Sequence, residues 1–461
     1  PNGYPHIGHA KAAIISDEYA KMHGGKIILR FEDTNPGTER LEYYAAIKVG
    51  MDWLGIKYDS VEYVSDSLDI LYKKADQIIK SNDAYVCTCS QDSISKDRRE
   101  MTECRCTKQS LEENEKLWHK MFDEKGFKEG QALLRFRGNM QSGNTTMRDP
   151  ALFRINTKRH ARQEQKYKVW PTYDFAGIIF DSISKVSHAM RSKEFELRKE
   201  LHHTILDKLG MEKAEFIFFG RLDLEGMPVS KSALKPLIEN GKVPWYDDPR
   251  LPTLEGLQRR GIRQKAVKKF ILSLGLTKND TVSPFASLEA FNKKIIDGES
   301  VRLHMVRNPK ELKIANLPSS EFHLSNHPTM DLGKRTVNID NSVMIEGEDA
   351  KDLKNGESIR LLGIGIVKIT DSSDLTAEFI SENAENIEKK IQWVAGEPIK
   401  IKIIVPDQLF FGEKFNEDSL KEVEGFVEQA YLELKDGDEI QFIRFGYCRK
   451  ESTHQVIFTH K

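Results

Sequence analysis

The periodicity of the apolar residues changes character once along this chain, and that change constrains the fold more than any other feature. Up to about residue 240, short apolar runs alternate with stretches of helical spacing. His9 to Met22 carries Ala10, Ala13, Ile14 and Tyr19 at helical spacing and stops at Gly24 and Gly25. KIILRF (Lys26–Phe31) reads as a strand, and helices are predicted over Leu41–Leu54 and Ser65–Ile79. The alternation returns with helix Tyr173–Ile183, strand Val186–Met190, helix Lys193–Leu209 and strand Ala214–Gly220. Helix alternating with strand predicts a parallel sheet with crossover helices, an α/β fold. After about Asn316 the runs SIRLLGIGIVKIT, IKIIVP and EIQFIRFGYC are β-branched or alternating, so the C-terminal part is predicted all-β. The chain has 461 residues, more than the ~250–300 that one core can serve.

Between these textures lie two others. Residues 85–165 hold a cysteine cluster, many charges and one clear strand, ALLRFRG (Ala132–Gly138), and read as an insertion with its own fold. WYDDPRLP (Trp245–Pro252) reads as a connection, with a helix predicted over Leu254–Leu276. The expected organisation is therefore an α/β domain in two halves, 1–84 and 166–240, an insert at 85–165, a helical region at 241–320 and a β domain at 321–461. Formal net charge is −1, so any polyanion partner must meet local basic patches. KRHARQEQKYK (Lys158–Lys168) and RRGIRQKAVKK (Arg259–Lys269) are the candidates, the second with Arg259, Arg260 and Arg263 on one side of a helix. Solvated helix faces are the plainer reading of both. No apolar run approaches the roughly 18–20 residues that cross a bilayer, and no signal peptide is visible, so a cytoplasmic location is expected.

Four of the five cysteines form a C-x-C, 14-residue spacer, C-x-C pattern: Cys87, Cys89, Cys104 and Cys106. That clustering suits a metal in a reducing compartment better than a disulfide framework. Four thiolates on two short arms can surround a tetrahedral Zn2+ and leave no open position, which makes the expected site structural.

The opening PNGYPHIGHA carries the clearest chemistry. Pro1, Asn2 and Gly3 make a tight turn, and His6-Ile7-Gly8-His9 leads straight into a helix. A helix N-terminus offers unpaired N–H groups and partial positive charge, which suit phosphate. Two imidazoles there can donate to a triphosphate, and Gly8 lets an adenine or ribose approach the backbone. A helix start that merely contains two histidines is the bland alternative. Farther on, GMPVSKS (Gly226–Ser232) follows the strand AEFIFFG and Arg221-Leu222. Lys231, between Ser230 and Ser232, can close on a pyrophosphate leaving group and neutralise its developing charge. The alternative is a solvated loop. Both motifs follow a strand exit, where doubly wound folds bind ligands.

Together the two motifs resemble the HIGH and KMSKS signatures of class I aminoacyl-tRNA synthetases. The second appears as PVSKS, departing at its first two positions and keeping Ser230, Lys231 and Ser232. LRFEDTNP (Leu29–Pro36), WPTYDFA (Trp170–Ala176), SHAMRSKEF (Ser187–Phe195) and DDPRLPTLEGLQRRG (Asp247–Gly261) resemble the glutamyl and glutaminyl branch, in order. SNHP (Ser325–Pro328) and IQWVAGEPIKIKIIVPDQLF (Ile391–Phe410) resemble the β anticodon domains of glutaminyl and of archaeal or eukaryotic glutamyl enzymes, not the helical ones of bacteria. The resemblance implies a Rossmann-like catalytic domain with an inserted acceptor-stem-binding subdomain, a helical stem-contact region and C-terminal β-barrels. It also implies ATP with Mg2+, and a strand before Pro1 that supplies further pocket residues. ATP would meet Asn2, Gly3, His6, Gly8, His9, Arg221, Leu222, Ser230 and Lys231, with His6, His9 and Lys231 catalytic.

Glutamate and glutamine differ by a charge, so their pockets should too. Arg191 stands where the family's glutamyl enzymes carry Arg and glutaminyl enzymes a small uncharged residue. A guanidinium holds a carboxylate by two charge-assisted hydrogen bonds. The implied substrate is glutamate, with Glu32 or its neighbour Asp33 on the α-ammonium, Tyr173 lining the pocket and Arg30 assisting with a carboxylate. The implied partner is tRNA(Glu), with tRNA(Gln) left open. Arg444 and Tyr447 are candidate anticodon readers by stacking and edge hydrogen bonds. The competing readings are a glutaminyl enzyme, a catalytically silent tRNA-binding relative, and a small-molecule nucleotidyltransferase. The last would have no use for a β domain of about 140 residues.

Overall fold

The computed structural model describes every residue except Ser230 and residues 384–386, and every side chain but theirs and that of Lys231. The chain forms two compact units: Pro1–Leu222 with Leu274–Thr281, and Asp223–Ser273 with Val282–Lys461.

In the first unit, helix α1 (Ile7–Met22) leads to strand β1 (Ile28–Phe31), helix α2 (Leu41–Trp53) and strand β2 (Ser60–Tyr63). β1 and β2 pair in parallel, Ile28 opposite Ser60, so α2 is their crossover. Helix α3 (Leu68–Lys80) follows and buries Leu68, Leu71, Ala75, Ile78 and Ile79, one stripe at helical spacing. Strand β3 (Ala84–Cys87), helices α4 (Gln91–Glu100) and α5 (Leu111–Phe122), and strands β4 (Leu133–Phe136) and β5 (Ala151–Ile155) follow, and strand β6 (Val169–Pro171) lies just past residue 165, where the sequence pattern closes the insert. These four strands make one antiparallel sheet in sequence order. Only β4 has a strong strand signal in the sequence.

Helix α6 (Tyr173–Ile183), strand β7 (His188–Ser192), helix α7 (Arg198–Lys208) and strand β8 (Glu215–Phe219) complete a second crossover, with β7 and β8 parallel, His188 opposite Glu215. The shared core runs from Leu71 and Ile78 of α3 through Phe136 and Phe153 to Phe175 and Ile179 of α6 and Leu201 of α7.

The second unit begins with helices. The stretch predicted as one helix from Leu254 is two, Leu254–Arg259 and Gln264–Ser273. Thr253 caps the first by accepting from the Gly256 N–H. A two-stranded sheet pairs Leu222–Leu224 with Thr281–Ser283, and the larger β sheets start at Val301, earlier than the sequence pattern indicated, because Val301–Leu303 and Met305–Val306 are too short to show a period.

Two seven-stranded sheets follow. In one the order is Lys390–Ile391, Ser358–Leu361, Gly365–Asp371, Thr376–Ser381, Lys310–Ala315, Ser342–Ile345, Trp393–Val394. In the other it is Val301–Leu303, Glu439–Phe442, Gly446–Ser452, Gln455–His460, Ile399–Pro406, Leu420–Val427, Met305–Val306. In each sheet the two outermost strands are consecutive in the chain, separated by Gln392 alone in the first and His304 alone in the second. A sheet whose edges are one residue apart must curl into a barrel. Leu312, Ile345, Val367 and Trp393 fill the first barrel, and Ile403, Phe442, Val456 and Tyr431 the second. The His304 corner is buried and held by its N–H on Glu428 (2.5 Å) and its Nδ1 on the Trp393 carbonyl (2.9 Å). Glu428 in turn pairs with the buried Arg335 (2.5 Å). Among the described residues no helix is long and apolar enough to cross a membrane.

Candidate active site and four-cysteine cluster

His6 is the N-cap of α1, and its imidazole accepts from the Gly8 N–H through Nδ1 (3.1 Å). His9 Nδ1 accepts from the His6 N–H (3.2 Å), so the two rings form a reciprocal capping box. Both Nδ1 atoms are therefore acceptors, and each neutral ring must carry its proton on Nε2. Loss of hydration, with His9 adding its charge, lowers His6 to about 3, and desolvation lowers His9 in the same direction. The pair presents two N–H donors without bringing a cation. Their ring centroids lie 4.0 Å apart. Gly3 and Gly8 are partly accessible beside them, and Asn2 is exposed.

A cleft of about 560 Å³ runs between α1 and β1, with His9, Arg30, Glu32 and Met190 in its walls. Glu32 leaves the end of β1 with one carboxylate oxygen, Oε2, buried and without a hydrogen-bond partner. Its nearest cation is Arg30, at 4.0 Å. Desolvation outweighs that attraction and pushes the Glu32 carboxyl up to about 7. Gly177 of α6 makes room for it, since a Cβ there would stand 3.1 Å from Glu32 Oε1. Asp33 is different. It is fully buried and satisfied by the Ser65 N–H (2.9 Å), the Ser65 hydroxyl (2.8 Å) and the Tyr44 hydroxyl (3.0 Å). Of the two carboxylates the sequence offered, Glu32 is the one left needing a partner.

Arg191 lies on β7 with its guanidinium 4.4 Å from the centre of the Phe216 ring and 5.6 Å from that of Tyr173. Its Nη2 donates to Asp181 and its Nη1 to His202 Nδ1 (3.2 Å). Tyr173 opens α6. Arg30, read from the sequence as a carboxylate ligand, has its donors on Glu62 (2.9 Å), Asp181 (2.7 Å) and the Phe180 carbonyl (3.2 Å). It braces the pocket wall. Asp181, shared by both arginines, and His202 escaped the sequence reading. A signal existed: α6 carries only two charged residues, Asp174 and Asp181, seven residues apart on one face and both buried.

Past the end of β8, Arg221 pairs with Glu194 and its N–H donates to Asp280 (2.8 Å), and Leu222 is buried. Ser230 and the Lys231 side chain lie outside the described residues; Lys231 opens a helix that runs to Glu239. Within the second unit the loop leading to them is docked on the two-stranded hairpin of Phe410–Phe411 and Lys414–Phe415. Gly226 (φ +68°) accepts from the Phe410 N–H (3.1 Å), and a Cβ on it would stand 2.6 Å from the Phe410 carbonyl oxygen.

The Sγ atoms of Cys87, Cys89, Cys104 and Cys106 all lie within 4.8 Å of one another, and none is in a disulfide. Cys87–Cys104 and Cys89–Cys106 are 3.9 and 3.8 Å apart. A tetrahedral ion with bonds of about 2.3 Å to sulfur needs separations of about 3.8 Å, so this donor set can hold a metal. The buried Arg135 aims Nη1 at Cys87 (3.8 Å) and Cys104 (3.7 Å), as expected where thiolate charge collects.

The basic runs have other employment. Arg259 pairs with Glu451 (2.5 Å), Arg260 is buried on Glu289 (3.0 Å) and Arg263 pairs with Glu439, so these three arginines are paired within the second unit, while Lys265 and Lys269 of the same run are exposed. In the first run Arg162 pairs with Asp66 (2.7 Å) and Lys168 donates to the Asp123 carbonyl (2.6 Å). Tyr447, a candidate base-stacking ring, is wholly buried with its hydroxyl on Asp297. Arg444 remains partly exposed, paired with Asp349. A larger cleft of about 750 Å³, on the first barrel beside Lys313, Asp340 and Glu378, gathers none of the candidate residues.

Comparison with known proteins places the chain in one family. The profile of the family described as tRNA synthetases class I (E and Q), catalytic domain, matches residues 1–298, and the two anti-codon binding domain profiles of that group match 300–385 and 390–451. A glutamate–tRNA ligase of Nitrosopumilus maritimus is 55% identical over all of this chain and 81% of its own length. One from Cenarchaeum symbiosum is 52% identical over all of this chain and 82% of its own. A crystal structure of glutamate-tRNA synthetase from Elizabethkingia anophelis overlaps 64% of this chain and 69% of its own at 19% identity, with a TM-score of 0.48. The chain thus belongs to the class I tRNA synthetases of the E and Q group, with a catalytic domain followed by two anticodon-binding β domains.

Proposed function

We propose that this protein is a glutamate–tRNA ligase: it activates glutamate with ATP and Mg2+ and transfers it to the 3′ end of tRNA(Glu). What carries the reading is one carboxylate with an unsatisfied oxygen, Glu32, within electrostatic reach of one guanidinium, Arg191, that retains unused N–H donors. Glutamate bears one cation and two anions. Glu32 takes its ammonium, Arg191 its side-chain carboxylate, and the α-carboxylate is left for reaction. The Tyr173 ring lines the pocket between them.

In the first step the glutamate α-carboxylate attacks the α-phosphorus of ATP. A C–O–P linkage forms, the bond to the β-phosphate bridging oxygen breaks, and pyrophosphate leaves. The Nε2–H groups of His6 and His9 donate to phosphate oxygens, and the Asn2–Gly3 turn and Gly8 admit the nucleoside. Lys231 with Ser230 offsets charge on the departing pyrophosphate. In the second step a ribose hydroxyl of the tRNA terminus attacks the activated carbonyl, AMP leaves, and the hydroxyl proton passes to solvent or phosphate. Neither step needs a protein nucleophile. Orientation and charge neutralisation supply the rate.

Cys87, Cys89, Cys104 and Cys106 would hold a Zn2+ ion, which would staple the two arms of the insert. The anticodon-binding domains imply a tRNA partner, and the protein is read as cytoplasmic. The test is aminoacylation with labelled glutamate or glutamine on tRNA(Glu) and tRNA(Gln), using the protein and Arg191→Ala. Glutamate on tRNA(Glu), with kcat/KM cut roughly 100- to 20,000-fold by the substitution, is expected from the loss of two charge-assisted hydrogen bonds. Transfer to tRNA(Gln) as well would show relaxed tRNA choice. Transfer of glutamine would overturn the assignment.

A further inference from the structure

Arg191 is useful to a carboxylate only if its plane is fixed before substrate arrives, and two residues fix it. Asp181 takes one Nη2–H and His202 accepts one Nη1–H at 3.2 Å. Among the described residues this leaves one N–H on each terminal nitrogen, and the Nε–H, for a ligand. The His202 contact has a requirement that Asp181 does not. A guanidinium can only donate, so Nδ1 must be a bare lone pair. The proton must then sit on Nε2, where Asp174 Oδ1 accepts it at 2.9 Å. The other Asp174 oxygen accepts from Arg198. His202 is wholly buried, so water cannot substitute for either contact. Burial also lowers its pKa, which keeps the ring neutral.

We propose that His202 is the positioning residue for amino-acid selection, a buried acceptor whose tautomer is set by Asp174 and whose lone pair orients Arg191 toward the substrate carboxylate. The proposal rests on the glutamate reading given above. Asp174 acts through His202 and never touches substrate. If the proton moved to Nδ1, an N–H would face an N–H and the guanidinium would turn away.

Side-chain geometry supplies the test. Asn at 202 places its oxygen near the position of Nδ1 and keeps the acceptor for Arg191, while giving up Asp174. Gln reaches toward Nε2 and keeps Asp174, while giving up Arg191. Both are smaller than histidine, so a packing role predicts similar damage. Aminoacylation of tRNA(Glu) should show KM for glutamate raised roughly tenfold or more in His202→Gln and within about threefold of the parent in His202→Asn, with kcat and KM for ATP unchanged in both. Asp174→Asn is nearly isosteric and guards against misfolding. Arg198 claims the amide oxygen, the NH2 faces Nε2, and the tautomer must flip, so KM for glutamate rises as in His202→Gln. Equal KM values for the Asn and Gln variants, or an unchanged KM in Asp174→Asn, would overturn the proposal alone. Glutamine transfer by the unaltered protein would overturn it together with the glutamate reading.

Discussion

Glu32 should make the protein less stable under the conditions in which it works. Its carboxyl sits at about 7 instead of 4.5, because the pocket strips its water and Arg30, 4.0 Å away, only partly compensates. The folded state therefore holds the proton more tightly than the unfolded chain. For a carboxyl raised in this way, its favourable contribution is complete below 4.5 and is lost as pH climbs to about 7. The difference between those two values is worth about 3 kcal/mol at most, at about 1.36 kcal/mol per pH unit. Glu32→Gln keeps the shape and removes the charge. At pH 4 it should leave stability unchanged. At pH 8 it should raise Tm by several degrees, since a unit of this size gains about 2–4 °C per kcal/mol. The same substitution removes the partner of the substrate ammonium, so stability and activity move in opposite directions. In the unaltered protein kcat/KM for glutamate should fall about tenfold per pH unit below about 7, and this acid limb should vanish in Glu32→Gln. Thermal unfolding at both pH values and a pH–rate profile for each protein are the assays. Equal Tm values at pH 8 would show that the carboxylate is not desolvated, and an acid limb surviving in Glu32→Gln would assign it to another group.

Two further outcomes follow from contacts in the same unit. Cys104→Ser, or chelation of the reduced protein, should release one equivalent of zinc and expose residues 85–110 to hydrogen exchange, with ATP affinity unchanged; metal analysis of freshly purified protein decides this directly. Gly177→Ala sets a methyl 3.1–3.2 Å from both Glu32 oxygens and should raise KM for glutamate several-fold while sparing KM for ATP, a split that steady-state kinetics reads.

How much of this was legible depended on whether the partners were close in sequence. The His6–His9 motif on a helix start, helix Tyr173–Ile183 and the C-x-C pairs are local patterns, and each stands in the fold as the residues suggested. The acids that pair with the arginines of the second basic run could not be read, because they are distant in sequence: Glu451 is 192 residues from Arg259 and Glu439 is 176 from Arg263. A charge counted alone says nothing about what will neutralise it. Tyr447 failed as a surface ring for the same reason, since Asp297 takes its hydroxyl from 150 residues away. The pocket was half legible. Arg191 and Glu32 are candidates the sequence offers, whereas the contacts of Arg191 with His202 and Asp181 exist only once α6, β7 and α7 have packed.

The strand order of the two barrels also fixes a sequence of events during synthesis. The first barrel is built wholly from residues 310–394, and those residues are inserted between the strands of the second, which takes 301–306 from before them and 399–460 from after. As the ribosome releases the chain N-terminus first, the inner barrel can close while the outer one still waits. Strand Val301–Leu303 has to remain unpaired until Glu439–Phe442 appears, and Ile399–Pro406 lacks one neighbour until Gln455–His460 is made. Without an intervening fold, closing so long a loop would cost chain entropy. A finished inner barrel shortens that search by holding residues 306 and 399 near one another. Disrupting the inner barrel should therefore slow the outer one, whereas a defect in the last strand should leave the inner barrel able to form on nascent chains.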